Sequence, residues 1–297
     1  MNDAPPLLSA AEIAQVCAQA TQLRAYRRQR EVHDHHAGDW PSAWLGRGLD
    51  YEESRPYAAG DDIRDMDWRT TARSGRPYLK VYREEHQPLL QLVVDRGASL
   101  RFGTRRRLKA AQAARVALLL AFAATQDNRA LAATLWDRHD LELPPRHGEA
   151  GFLALALAVA APCPPLPVTS QPRRDLDRLA GLAANLPRGT HLVLVSDFSW
   201  LEAGHESLLA RLAERLDVLA VGISDPVERA LPALGLACFR DLSQPGVSWL
   251  DTDRPGHGER LRLRLERRVE RLSRAGIRHV GIGCEIDDLL PALEAHA

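Results

Sequence analysis

Two aspartates stand where a buried strand would hand its carboxyl end to a loop. Asp95 closes the apolar run Leu89-Leu90-Gln91-Leu92-Val93-Val94, and Asp197 follows Leu192-Val193-Leu194-Val195-Ser196. In an open α/β sheet, residues so placed meet at the ligand crevice beyond the strand ends. Hard carboxylate oxygens there suit Mg²⁺, or in-line attack on a phosphoryl group. An aspartyl phosphatase wants a second carboxylate two residues after the first, and Gly97 stands in that place. Other catalytic patterns fail: there is no P-loop, no Gly-x-Gly-x-x-Gly behind a strand, no nucleophile elbow and no His-Glu-x-x-His. His33-Asp34-His35-His36 has the right types for a metal, but adjacent side chains on an irregular segment rarely converge on one ion. A solvated turn explains them. Cys17, Cys163, Cys238 and Cys284 are far apart, without a Cys-x-x-Cys zinc pattern.

A second concentration of chemistry lies upstream. Asp61, Asp62, Asp65 and Asp67 share a short stretch with Arg64 and Arg69 around Trp68, between Arg55-Pro56-Tyr57 and Ala72-Arg73. A buried site tolerates such charges only when they are paired and hydrogen-bonded. The expectation is a charge-knitted structure in which Asp62, Arg64, Asp67 and Arg73 bond around a mostly buried Trp68. It would either fix a subdomain or present a recognition surface. A solvated acidic loop is the alternative.

The elements that must position these residues alternate. Ser9-Ala10-Ala11-Glu12 is a capping box that opens a helix to about Arg30. Leu49 to Glu85 reads as extended segments and turns. After the Asp95 strand, Thr104 is placed to cap a long Ala-rich helix through Ala124. A strand at 129–136, a short partner at 141–143, a buried helix at 149–161, a Pro-rich connection and a helix at 173–185 precede the Asp197 strand. A helix at 202–216, a strand at 218–223 and the helix start Asp225-Pro226-Val227-Glu228 follow. A hairpin pairs 237–241 with 247–251 across Gln244-Pro245-Gly246. The helix at 259–274 interleaves Glu259, Glu266 and Glu270 with its arginines, so it reads as a salt-bridged surface helix. A last strand covers 279–283. This order predicts a mainly parallel sheet with helices on both faces. The partition expected is 1–87 for the N-terminal helix with the charged region, and 88–297 for the α/β domain.

The charged stretch also carries a resemblance. Gly46-Arg47-Gly48-Leu49-Asp50, Arg55 to Arg64, Asp67-Trp68, Ala72-Arg73 and Lys80-Val81-Tyr82-Arg83-Glu84-Glu85 closely resemble the signature of the bacterial "domain of unknown function" family number fifty-eight. The likeness extends from about residue 20 to the end. It implies a von Willebrand A-like (Rossmann-like) α/β fold, and a MoxR-type AAA+ ATPase as functional partner. The signature positions here are Arg55, Tyr57, Gly60, Asp61, Asp62, Arg64, Asp67, Trp68, Arg73 and Lys80. The resemblance also implies a metal-ion-dependent adhesion site, Asp-x-Ser-x-Ser followed by a Thr and an Asp from later loops. Asp95, Ser99 and Asp197 match it. Gly97 replaces a serine, and the stretch 146–151, where the Thr is expected, contains none. Mg²⁺ binding is therefore expected to be weak or lost, with Asp95 and Asp197 bonded to loop amides or paired with Arg96.

Composition narrows the function classes. The chain has 297 residues, 45% hydrophobic and 26% charged, with 39 basic against 39 acidic side chains. The zero balance gives no pull toward nucleic acid or anionic lipid. Lysine occurs only at Lys80 and Lys109. The apolar runs fall short of the ~20 residues that span a bilayer, and no secretory leader is evident. The expectation is a cytoplasmic, non-enzymatic adaptor or cochaperone for a MoxR-type ATPase and a client protein. Its docking surface would include a partly exposed Asp95 and Asp197. A Mg²⁺-dependent hydrolase using the same two aspartates, or a nucleic-acid binder, are the alternatives.

Overall fold

The computed structural model describes residues 5–33, 51–58, 66–82, 89–164, 175–240, 246–254 and 256–294. The chain divides into two compact units. One joins residues 1–44 to 88–297, and the other is 45–87.

Helix α1 (Ala10–His33) belongs to the first unit. Its capping box is formed: the Ser9 amide donates to Glu12 Oε2 at 2.9 Å, and the Glu12 amide to Ser9 Oγ at 3.2 Å. Leu8, Val16 and Ala20 bury themselves in the core of the α/β unit. The expected partition, which put this helix with the charged region, is corrected by that apolar face.

The smaller unit pairs β1 (Tyr51–Pro56) with β2 (Tyr78–Tyr82) antiparallel, with a register irregularity between Tyr51 and Glu53. Between them lies α2 (Trp68–Ser74), a helix that the reading of extended segments and turns missed. Asp67 is its N-cap. Oδ1 accepts from the amides of Arg69 and Thr70, both at 3.1 Å, and Oδ2 from Thr70 Oγ1 at 2.7 Å. Gly75, at φ 68°, closes it in the left-handed conformation that glycine adopts without cost.

The larger unit is built on β3 (Leu90–Asp95), β4 (Leu131–Trp136), β5 (Leu141–Arg146), β6 (His191–Ser196), β7 (Asp217–Ser224) and, near the end, β10 (Arg278–Gly283). Their order in the sheet is β10-β7-β6-β3-β4-β5. All neighbours are parallel except the edge pair β4 and β5. The described helices are α3 (Lys109–Gln126), α4 (Gly148–Ala160), α5 (Asp175–Ala184), α6 (Glu206–Ala213), α7 (Pro226–Arg229), α8 (His257–Arg274) and α9 (Leu290–Glu294). A separate hairpin pairs β8 (Leu236–Arg240) with β9 (Val247–Asp251).

The strands' alternation divides the core in two. Leu92, Val94, Val193, Val195, Leu219 and Val221 face α1, α3, α4 and α9. Val93, Leu192, Leu194, Val218 and Ala220 face α5, α6 and α8. This is the mainly parallel α/β arrangement, with helices on both faces of the sheet, that the order of elements predicts. Helix α3 is covered all round by sheet and helices, as its Ala-rich composition requires. Helix α4 is not the fully buried helix expected: Leu153 and Leu157 are exposed on one side.

Candidate functional site

The chain runs from β3 outward to β4 and β5, then returns to β6 on the other side of β3, so the switch point lies between β3 and β6. Register sets what meets there. Val94 pairs with Val195, which places Asp95 beside Ser196. Ser196 Oγ donates to Asp95 Oδ2 at 2.7 Å, and the Gly97 amide to Asp95 Oδ1 at 2.7 Å. Asp95 is fully buried and Asp197 is 6% exposed. The expected partial exposure of both carboxylates is thus corrected: the loops close over the strand ends.

Asp197 is held by a residue that the sequence did not single out for this role. Lys109, the first residue of α3, places Nζ 2.9 Å from Asp197 Oδ2 and 2.7 Å from Glu228 Oε1, with its side chain 2% exposed. The Ser199 amide donates to Asp197 Oδ1 at 2.9 Å. Burial alone would raise the Asp197 pKa, but the Lys109 charge and hydrogen bond, with Arg268 behind, hold it well below the ordinary carboxylate value. Burial likewise works against the ammonium. Asp197 and Glu228 outweigh it and keep Lys109 above the ordinary lysine value.

A third strand-end aspartate completes the cluster. Asp225 follows β7 and is fully buried. It caps α7 in a capping box: the Val227 amide donates to its Oδ1 at 3.0 Å, and its own amide donates to Glu228 Oε2 at 2.9 Å. Its carboxylate also accepts from the Thr104 amide at 2.8 Å and from the Thr104 hydroxyl. Thr104 therefore does not cap α3 as expected. Leu108 precedes that helix with no side-chain cap, and Thr104 ties the preceding loop to β7. Burial raises the Asp225 pKa, and the Thr104 and backbone bonds bring it net below the ordinary value. Nearby, burial and the Asp225 charge push the Cys284 thiol up to about 12, which removes it as a nucleophile.

The turn after β6 is strained. Phe198 has φ 51°, uncommon for a bulky side chain. Its amide donates to Ser196 Oγ at 3.1 Å, and its ring packs on Trp200 with centroids 5.9 Å apart. The loop before α3 is equally constrained at Gly103, where a Cβ would lie 2.3 Å from the Arg107 carbonyl oxygen.

These residues do not fit a divalent cation as they stand. Asp95, Ser99 and Asp197 are indeed brought to one place, Ser99 through the Ser199 hydroxyl, which donates to its Oγ at 3.3 Å. Both oxygens of Asp95 and of Asp197, however, are engaged by protein donors, one of them an ammonium. Arg96 does not pair with Asp95. It turns to the carbonyl oxygens of Ala158, Ala161 and Pro162, at 2.8, 2.9 and 3.1 Å, and caps the end of α4. The stretch 146–151 also lies at the wrong end of the sheet, since Arg146 pairs with Leu131 at the start of β4. Its lack of a threonine has no bearing on this site.

Among the signature positions, Gly60, Asp61, Asp62 and Arg64 lie outside the described residues. So do Asp34, His35 and His36, and the described part of His33 is backbone only. Arg55 and Lys80 are described as backbone only, paired Arg55 with Leu79 and Ser54 with Lys80 across β1 and β2. Tyr57 is half-buried, and its amide donates to the Pro77 carbonyl at 2.9 Å. Arg73 is exposed. Trp68, the first residue of α2, is 67% exposed, against the expected burial.

Comparison with known proteins gives the following. Residues 53–274 match the family described as "Protein of unknown function DUF58". Proteins of Mycobacterium tuberculosis and Mycobacterium bovis, both named only as uncharacterized, are 29% identical over 228 residues, 73% of this chain and 66% of theirs. The chain thus spans just under two thirds of the length of these relatives. Among solved structures, the conserved hypothetical protein BatB of Bacteroides thetaiotaomicron matches at TM-score 0.46 and 12% identity, over 70% of this chain and 96% of that one. An aerotolerance-related membrane protein of Bacteroides fragilis matches at TM-score 0.43 and 12% identity, over 70% and 98%. No described helix of this chain is long and apolar enough to cross a membrane.

Proposed function

The chain belongs to the DUF58 family, whose function is unknown, and from that premise we propose that it is a non-enzymatic protein-interaction module. It acts as an adaptor or cochaperone of a MoxR-type AAA+ ATPase in maturing or remodelling a client complex, and it works in the cytoplasm. The observation that carries this reading is the saturation of the switch point. Asp95, Asp197, Asp225 and Glu228 each have both oxygens bonded to donors of the protein itself. A nucleophile or general base must present an atom to substrate, whereas a recognition surface needs only a fixed frame for its loops. That weighs against a hydrolase built on Asp95 and Asp197. Nucleic-acid binding is disfavoured by the zero net charge and by the pairing of α8 arginines with Glu206, Glu266 and Glu270.

Around the buried cluster, Phe102, Arg105 and Ser199 are exposed. With the carboxylates buried, the loop before α3 contributes an aromatic ring and a cation, chemistry enriched at protein interfaces. The partner surface is accordingly acidic rather than basic, and the contact weakens with salt. Titrating the purified chain with a cognate MoxR-type ATPase tests the reading. Salt-sensitive binding supports it, and no binding up to tens of micromolar removes it. Trp68 favours a second contact surface: an exposed Trp in the family signature, beside exposed Arg69 and Arg73, is a residue set that anchors interfaces.

A further inference from the structure

We propose that the ammonium of Lys109 is the resident cation of the switch point, tethered to α3, and that it takes the place of a divalent ion there. This stands apart from the docking reading, since it concerns what holds the site together rather than what binds it. Four observations carry it. Lys109 Nζ bridges Asp197 and Glu228 at 2.9 and 2.7 Å, with a side chain 2% exposed. It therefore occupies the anionic centre instead of lining it. Asp95 spends its two oxygens on a backbone amide and a serine hydroxyl, both at 2.7 Å. Gly97 brings no hydroxyl, although its φ of −61° would admit any side chain. The neighbouring arginines are committed to backbone carbonyls, Arg96 at the carboxyl end of α4 and Arg268 at Asp197 itself, 3.0 Å away.

Mg²⁺ demands near-octahedral oxygen coordination and gives up its waters reluctantly. To reach Asp197 it would have to expel a buried ammonium that has no solvent to enter, and an unpaired buried charge is the costlier state. A fixed ammonium needs no free ion and is not exchanged. It also joins three elements covalently distant in the chain: the start of α3, the turn after β6, and α7. The Lys109 clamp thus does continuously what a bound ion would do only when present.

Because the chain has only two lysines, Lys80 and Lys109, side-chain ¹⁵N spectra of the lysine-labelled full chain can read this ammonium directly, with Lys80→Arg giving the assignment. The expected result is a Lys109 ammonium signal protected from exchange at neutral pH and unmoved by millimolar Mg²⁺ or by dilute Mn²⁺. Loss of that signal to rapid exchange, a shift with Mg²⁺, or selective broadening by Mn²⁺ would overturn the proposal. A second measurement reads the carboxylates. Lys109→Ser should melt about 10 °C lower in chelator and regain several degrees with Mn²⁺, and the recovery should vanish when Asp197→Asn is added. A Lys109→Ser chain that melts like the wild type, or wild-type stabilisation by Mg²⁺ that Asp95→Asn abolishes, would contradict it.

Discussion

Replacing Lys109 with Met would leave the buried Asp197 without its cation. Breaking a buried pair from one side costs roughly 3–5 kcal/mol, and urea unfolding at neutral pH should show a loss of that size. The pH dependence has a definite sign. Asp197 and Asp225 titrate below the ordinary value of 3.8. Their contribution is therefore complete above that value and drains as pH falls below it toward the depressed folded values. Lys109 titrates above its ordinary 10.5. Its contribution is complete below 10.5 and is lost as pH rises through the folded value. In Lys109→Met, burial is the dominant influence left on Asp197, so its pKa rises and its penalty is relieved in acid. The stability gap between wild type and variant should then narrow as pH falls from neutral toward 4, read by chemical unfolding across that range. Arg268, Asp225, Glu228 and Cys284 face the same cluster, and none reverses this sign. At this scale the sequence was legible for Asp95 and Asp197, because strand ends announce themselves, whereas Ser99 followed only from the family resemblance. Lys109 was not, because a lysine at a helix start normally faces water. The hints were the scarcity of lysine and the recurrence of Ser-Asp after two successive strands, Ser196-Asp197 and Ser224-Asp225.

Element boundaries record where local rules yielded to tertiary contacts. The strands β3, β6, β7 and β10 fall within a residue of their predicted bounds, and β3 and β6, buried on both faces, show the continuous apolar run that such strands need. Helix α3 begins at Lys109 rather than after Thr104. The threonine that should have capped it bonds Asp225 instead, so a capping residue was diverted to link loops at the site. Helix α2 escaped notice because Trp68–Ser74 is only one short polar segment, without apolar periodicity. Asp67, expected among the bonded charges around Trp68, is buried and caps α2 through the amides of Arg69 and Thr70. Asp67→Ala should therefore cost about 1 kcal/mol, the usual value of an N-cap, measured by thermal unfolding. Asp67→Ser keeps a capping oxygen and should recover part of that loss.

At the level of the whole molecule, the parallel sheet and its two helical layers followed from the alternation of elements. The membership of α1 did not, because it depends on which surface Leu8, Val16 and Ala20 find. The switch-point face and the exposed Trp68 belong to separate compact units, so their contributions to partner binding can be divided by mutation. Phe102→Ala with Arg105→Glu changes exposed residues and should leave the melting temperature within a few degrees of wild type. Calorimetric titration of a MoxR-type ATPase with this double variant, beside wild type and Trp68→Ala, tests the account most directly. The prediction is a folded double variant whose affinity falls at least about tenfold, a difference of roughly 1.4 kcal/mol, with the salt dependence of binding reduced. Undiminished, equally salt-sensitive binding by the folded double variant would contradict docking at the switch-point face, and a loss confined to Trp68→Ala would move the interface to the signature unit.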